Sequence, residues 1–178
     1  PVVVNATGPW SYLTAAKAET QLASAAIGHY YLTTQPQAEV PVDRHSPAVR
    51  DRANRIYTRP EVGGLIVGIY EADPLDYDME KLGDDFEMSE LRASRTDLRV
   101  ALLLDAAGRR FPWINERTPM HITHGIMTFT PDGKPFCGPD AELTGLFHCA
   151  AFCGHGIVQS PAIGLIMSQL ILDGASTY

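Results

Sequence analysis

The chain has 178 residues, 45% apolar and 20% charged, which excludes a disordered polypeptide and suits one ordinary domain or two small ones sharing a core. Its 14 Lys and Arg stand against 21 Asp and Glu, a net charge of −7, so the dense basic face of a nucleic-acid binder is excluded. The longest apolar run, Ile157 to Leu172, is interrupted by Gln159, Ser160, Pro161, Ser168 and Gln169, and no membrane partner is expected from it.

Three cysteines, Cys137, Cys149 and Cys153, are too few and too odd in number for a disulfide scaffold. They point to a reducing compartment, cytoplasm or mitochondrial matrix. The opening residues, Pro-Val-Val-Val-Asn-Ala-Thr-Gly, read as a core strand already under way, so the chain is expected to be a fragment.

Val2–Val4 is a β-branched run ended by Gly8-Pro9, the signature of a buried strand that is expected to be parallel. Pro9 suits the start of a helix, expected from Trp10 to about Ala26 with Leu13 and Leu22 as anchors and Gly28 as its stop. His29–Thr34 reads as a strand, and the proline- and charge-rich stretch 35–46 as loop. Arg55–Arg59 and Leu65–Tyr70 flank Pro60–Gly64, a hairpin pattern. The acidic stretch 71–87 is expected on the surface.

A helix capped by Ser89 is expected to run to about Ala107, with Leu91, Leu98 and Leu102 as its apolar stripe and Gly108 as its stop. His121–Phe129 and Leu146–Phe152 read as strands. A last helix, Ile157 to about Asp173, is apolar nearly all round and is therefore expected to be buried. The two ends are strand–helix and the middle is mostly antiparallel. That order suggests a domain inserted into an α/β domain formed by the chain ends.

Four constellations bear on chemistry. Gly154-His-Gly156 sits between a strand and a helix, where first-turn N–H groups can hold an electron-rich ligand; the alternative is a plain tight connection. Asn5–Trp10 lies at another strand end, with Trp10 as cover for a flat ring or as ordinary core. His148, Cys149, Cys153 and His155 are dense enough to raise a metal site, but no CxxC pair is present and small buried thiols account for them. His29, Tyr30 and Tyr31 are either proton-handling groups or sheet packing. No GxGxxG, phosphate loop or GxSxG elbow occurs.

Taken in order, these segments resemble one family. Val3–Trp10 is similar to the "VVNAAGxW" segment of the D-amino-acid-oxidase-type flavoproteins, and His29–Thr33 to the "HQYxVT" strand of their dimethylglycine and sarcosine dehydrogenase branch. Val49-Arg-Asp51, Gly68–Glu71, Arg110–Pro112, the "TPDGxPxxGP"-like Thr130–Pro139 and the "GFGxGI"-like Phe152–Ile157 follow in that branch's order. The resemblance implies an α/β plus α+β fold, with an antiparallel-sheet substrate-binding domain (28–125) inserted into the carboxyl-terminal part of a Rossmann-like FAD domain (1–27 and 126–178).

It also implies FAD as cofactor and oxidation of an N-methylated glycine or related secondary or tertiary amine, with hydride passing to flavin N5. Trp10, Gly154, His155, Gly156, Ile157 and Val158 are the implied flavin contacts; Tyr30, matched to the family's active-site tyrosine, and His29 are the implied catalytic residues. The implied partners are the small amine and the amino-terminal FAD-binding half that carries GxGxxG; a second copy of the chain is expected because the edges around Val2–Val4 and Phe147–Phe152 would be exposed. Folate would belong to a module downstream. This sequence departs from the pattern at Cys153, where the family has glycine, and at Ser160-Pro161. The alternatives are a non-catalytic binding or assembly module and a small metalloprotein built on residues 148–155.

Overall fold

The computed structural model describes residues 1–36, 41–81, 98–112, 114 and 119–178. It divides into two compact units, one of Pro1–Ile27, Asp76–Asp84 and Ile126–Tyr178, the other of Gly28–Leu75 and Asp85–Gly125.

The first unit is built on a three-stranded sheet, β1 (Val3–Asn5), β9 (Leu146–Ala150) and β8 (Phe136–Pro139), in the order β1-β9-β8. β1 and β9 are parallel, with Asn5 opposite His148. β8 returns antiparallel to β9, with Cys137 opposite Cys149. β8 escaped the sequence reading because its Gly and Pro residues argue for a turn.

After β1 comes one 3-10 turn, Gly8–Trp10, then α1 (Ser11–Lys17). The Ala-rich helix expected to Ala26 therefore stops nine residues early. Glu19 adopts φ 58, a conformation incompatible with continuing the helix. Thr20 then bonds Asp140, Leu22 is buried, and the chain is already in strand β2 by Ala25. Alanine's helix preference is small per residue, and tertiary pairing overrides it here.

β2 (Ala25–Thr34) contributes residues to both units, so Gly28 is a strand residue and not a stop; its N–H donates to the Leu75 carbonyl at 2.6 Å. In the second unit β2, β5 (Gly64–Ile69), β4 (Ile56–Glu61) and β3 (Val49–Asp51) form consecutive antiparallel pairs. The expected hairpin is β4–β5, turning at Val62 and Gly63, both with positive φ. At its start, β2 pairs β6 (Asp76–Tyr77), and it also pairs β7 (Pro119–Phe129).

α2 (Leu98–Arg110) packs one face of this sheet, burying Val100, Leu103, Ala107 and Gly108 with Leu32, Ile56, Val67 and Ile69. The expected stripe is corrected: Leu98 and Leu102 are 71% and 53% exposed, and Gly108 lies inside the helix. Val100, Leu103 and Ala107 follow the i, i+3, i+7 spacing that a sheet-facing stripe needs. Leu91 and Ser89 lie outside the described residues.

α3 (Gly156–Asp173) was expected to be buried and is not. Only Met167 is buried, while Ile157 is 94% and Leu172 80% exposed. By length and composition it is apolar enough to cross a membrane. An all-round apolar helix needs cover, and the described residues do not supply it.

Candidate functional site

In the first unit, the parallel pairing of β1 and β9 brings two turns to one sheet edge. The chain leaves both strands at their carboxyl ends, so the Ala6–Trp10 turn and the Ala151–His155 turn emerge side by side. Ligands of parallel α/β sheets collect at that edge.

A buried polar network holds the strands in register there. Asn5 donates from Nδ2 to the Ser11 carbonyl (2.8 Å) and to His148 Nδ1 (3.3 Å), which leaves His148 Nε2–H to donate to Asp140 Oδ2 at 2.8 Å. Thr7 donates to Asn5 Oδ1, and Thr20 to Asp140. Asp140 also accepts the N–H groups of Glu142 and Leu143, and the His148 bond, followed by these, holds its carboxyl well below the usual carboxylate range. His148 thus spends both ring nitrogens inside the network.

The Ala151–His155 turn is possible because three residues take left-handed backbone: Ala151, Cys153 and Gly154, at φ 56, 52 and 79. It delivers the chain to α3, whose first-turn amides have no side-chain cap. Gly154, His155, Ile157 and Val158 are exposed there, and the Oε1 of Gln159 is buried without a partner among the described residues. Uncapped first-turn amides are donors of the kind that the two carbonyls on the pyrimidine edge of a flavin accept. The residues present therefore fit that group. Trp10, half-buried, lines a depression of about 270 Å³ with Thr7, Leu13, Thr14 and Lys17.

The second unit has its polar constellation on the sheet face away from α2. Strand alternation puts His29 and Tyr31 on this face, with Tyr57, Gly68 and Arg50 in neighbouring register. His29 is buried, its Nδ1 lying 3.2 Å from Glu71 Oε2 and its Nε2 2.8 Å from Tyr57 Oη. Its ring stacks on Tyr70 (5.3 Å) and Tyr57 (5.7 Å). The Arg50 guanidinium sits 5.2 Å over Tyr70. Burial first, then Tyr70 and Glu71, push the Tyr57 phenol above its ordinary range.

Tyr30 is on the other face. It is 2% exposed, lies in the α2 core, and stacks on His124 with ring centroids 4.1 Å apart. Its tie to the polar face is through its backbone, whose N–H donates to Glu71 Oε1. His29 and Tyr30, paired in the sequence reading, thus point to opposite sides, and Tyr31 takes the place beside His29. Glu71 and Tyr57 were missed altogether. Glu71 was absorbed into an acidic surface stretch, and Tyr57 into a hairpin strand. Glu71 does close the Gly68–Glu71 segment, but only the tertiary pairing of strands brings it and Tyr57 to His29.

The Cys/His run does not converge. Among the described residues no group of three or more His, Cys, Asp or Glu side chains forms a metal site. Burial pushes the Cys137 and Cys149 thiols up, and Cys153 is buried with its Sγ near the Ala151 carbonyl.

Residues 1–170 match the family described as DAO, FAD dependent oxidoreductase. Human mitochondrial sarcosine dehydrogenase is 28% identical over 177 residues, 98% of this chain and 18% of that protein. Human mitochondrial dimethylglycine dehydrogenase is 26% identical over 185 residues, 99% of this chain and 21% of that protein. The chain thus spans about a fifth of the length of these relatives. The crystal structure of L-proline dehydrogenase from P. horikoshii superposes with a TM-score of 0.77 at 26% identity, covering 99% of this chain and 44% of that one. With 170 of its 178 residues matched, the chain belongs to the DAO family of FAD-dependent oxidoreductases.

Proposed function

We propose that the protein oxidises a secondary or tertiary amine of the N-methylglycine type, with the first unit as a segment of the FAD domain and the second as the substrate domain. The observation that carries this reading is the aromatic face of the second unit. Tyr31, Tyr57 and Tyr70 surround His29, and a guanidinium already rests on Tyr70, so this face favours cations. A methylated ammonium is such a cation. Arg50 at its margin suits the carboxylate of an amino acid. The sarcosine and dimethylglycine dehydrogenase relatives support the same class.

When bound, FAD supplies the hydride acceptor, at N5. Gly154, His155, Gly156, Ile157, Val158 and Trp10 would hold its flavin end, the α3 amides offsetting negative charge on the pyrimidine ring. On this reading the sheet face that carries His29 and Tyr31 meets the amine, and Tyr30 lies behind it in the core. Oxidised substrate passes to water or to folate in a downstream module. The mitochondrial relatives and the sparse cysteines support a matrix location.

The test is anaerobic bleaching of the flavin in the purified full-length protein by sarcosine, dimethylglycine, L-proline and glycine. Bleaching by the N-methylated compounds is expected. A full-length protein without flavin absorbance would overturn the reading in favour of a binding module, and bleaching by glycine alone would overturn the substrate class.

A further inference from the structure

The first unit holds a pair of thiols that amine oxidation does not use. Cys137 on β8 stands directly opposite Cys149 on β9, and both are free thiols. Opposite residues of an antiparallel pair alternate between hydrogen-bonded and non-hydrogen-bonded positions. The second kind brings side chains closer, with Cα atoms about 4.5 Å apart.

The ladder decides which kind this pair occupies. The Asp140 N–H donates to the Leu146 carbonyl at 2.8 Å, so that pair is hydrogen-bonded. The register steps back through Pro139 opposite Phe147 and Gly138 opposite His148 to Cys137 opposite Cys149. Alternation makes Pro139 a non-hydrogen-bonded position, which suits a residue without an N–H. Cys137 and Cys149, two steps further, fall on the same kind. A disulfide needs Cα atoms about 4.4–6.8 Å apart, so the two strands already meet that requirement.

The pair also lies on the more open side of the sheet. His148 and Ala150 face the other way and are buried, whereas Phe147 and Cys149 are half-buried, as is Cys137. Cys153, the third cysteine, is buried in the following turn, where its Sγ donates to the Ala151 carbonyl at 3.4 Å.

We propose that Cys137 and Cys149 are a redox-modification site, which an external disulfide of the glutathione type converts to a disulfide joining β8 to β9. The step is two successive exchanges. One thiolate attacks the external disulfide, forming a mixed disulfide and releasing one small thiol. The opposite thiolate then attacks the protein sulfur of that mixed disulfide and releases the second. The two cysteines lose two electrons and two protons, and the external disulfide, which gains both, leaves as two thiols.

Direct opposition makes the second exchange intramolecular, so the mixed disulfide does not persist. Burial pushes both thiols up, and Cys149 adds to the shift at Cys137, so the pair rests protonated at neutral pH. In a reducing compartment a reversible pair of this kind senses thiol–disulfide balance and is not a scaffold. Its bond ties β8 to the strand that opens the Ala151–His155 turn.

The experiment treats the full-length protein with millimolar glutathione disulfide at mildly alkaline pH, where part of each thiol is ionised. Remaining thiols are then blocked and the peptides mapped by mass spectrometry. Cleavage after Glu142 and after Phe152 puts the three cysteines on separate peptides. The expected product is a Cys137 peptide joined to the Cys149 peptide, with complete loss of the link on adding excess thiol reductant. Cys137→Ser or Cys149→Ser should remove the link and trap glutathione on the cysteine that remains, because the resolving thiol is gone. Glutathione persisting on either cysteine of the wild type, a bond from either to Cys153, both thiols left free, or no trapping in either variant would overturn the proposal.

Discussion

Tyr57 lies flat against Gly68, its cross-strand partner, so closely that a Cβ on Gly68 would occupy the space of the phenol ring. The absence of that one carbon allows the Tyr57 hydroxyl to reach across β5 to His29 on β2. A glycine with ordinary backbone angles in a central strand costs some stability, and here the cost has a geometric return.

Gly68→Ala is therefore expected to expel the Tyr57 ring and break its bond to His29. Forcing a methyl group into packed space typically costs ~1–3 kcal/mol. Denaturant unfolding should show that loss.

Arg50→Gln is expected to weaken sarcosine binding roughly tenfold or more while leaving amines without a carboxylate unaffected, since a charge-assisted bond contributes ~1.5–3 kcal/mol. Substrate titrations of flavin absorbance with sarcosine and with dimethylamine separate the two. Equal loss for both would remove Arg50 from carboxylate recognition.

Acid should destabilise the fold through Asp140 and Asp51. The His148 bond, then the Glu142 and Leu143 amides, depress Asp140; the Asn54 bonds, then Arg110, hold Asp51 down at about 2. Both folded-state values lie below the unfolded value of ~3.9, so their stabilisation is present above that pH and is lost as pH falls through the folded values. Melting temperature should therefore drop steeply below pH ~4. Asp140→Asn and Asp51→Asn should each lower it at neutral pH and flatten that slope.

In α2, Leu103→Ala is expected to cost ~2–5 kcal/mol, because Leu103 is fully buried against the sheet. Leu102→Ala, on the exposed side, should change stability by less than ~0.5 kcal/mol. Urea unfolding of the two variants tests which stripe faces the core.

The 178-residue polypeptide by itself should bind FAD more weakly than micromolar and self-associate. It contains no GxGxxG to hold the pyrophosphate, and it exposes Val2–Val4 together with much of α3. Flavin fluorescence titration and light scattering measure the two effects. Tight binding by a monodisperse monomer would contradict both.

Much of this protein could be read without coordinates. The β-branched Val2–Val4 run, the β4–β5 hairpin with its glycines and the turn-to-helix passage at Gly154–Gly156 are local patterns, and local sterics determine them. The same holds for the ordered motifs that resemble the flavoprotein family, because each is a short run of residues with its own backbone demand. Tertiary structure alone decided where α1 ends, since Thr20 is drawn to Asp140, far along the chain, and Leu22 is buried. It decided which side of β2 packs on α2 and which is polar, whereas alternation alone puts His29 and Tyr31 on one side and Tyr30 on the other. It brought Glu71 and Tyr57 to that histidine through cross-strand register, which depends on pairings between segments and leaves no trace in any one of them. And among the described residues it leaves α3 uncovered, because a helix's apolar composition states a need for burial that only a neighbouring surface can meet.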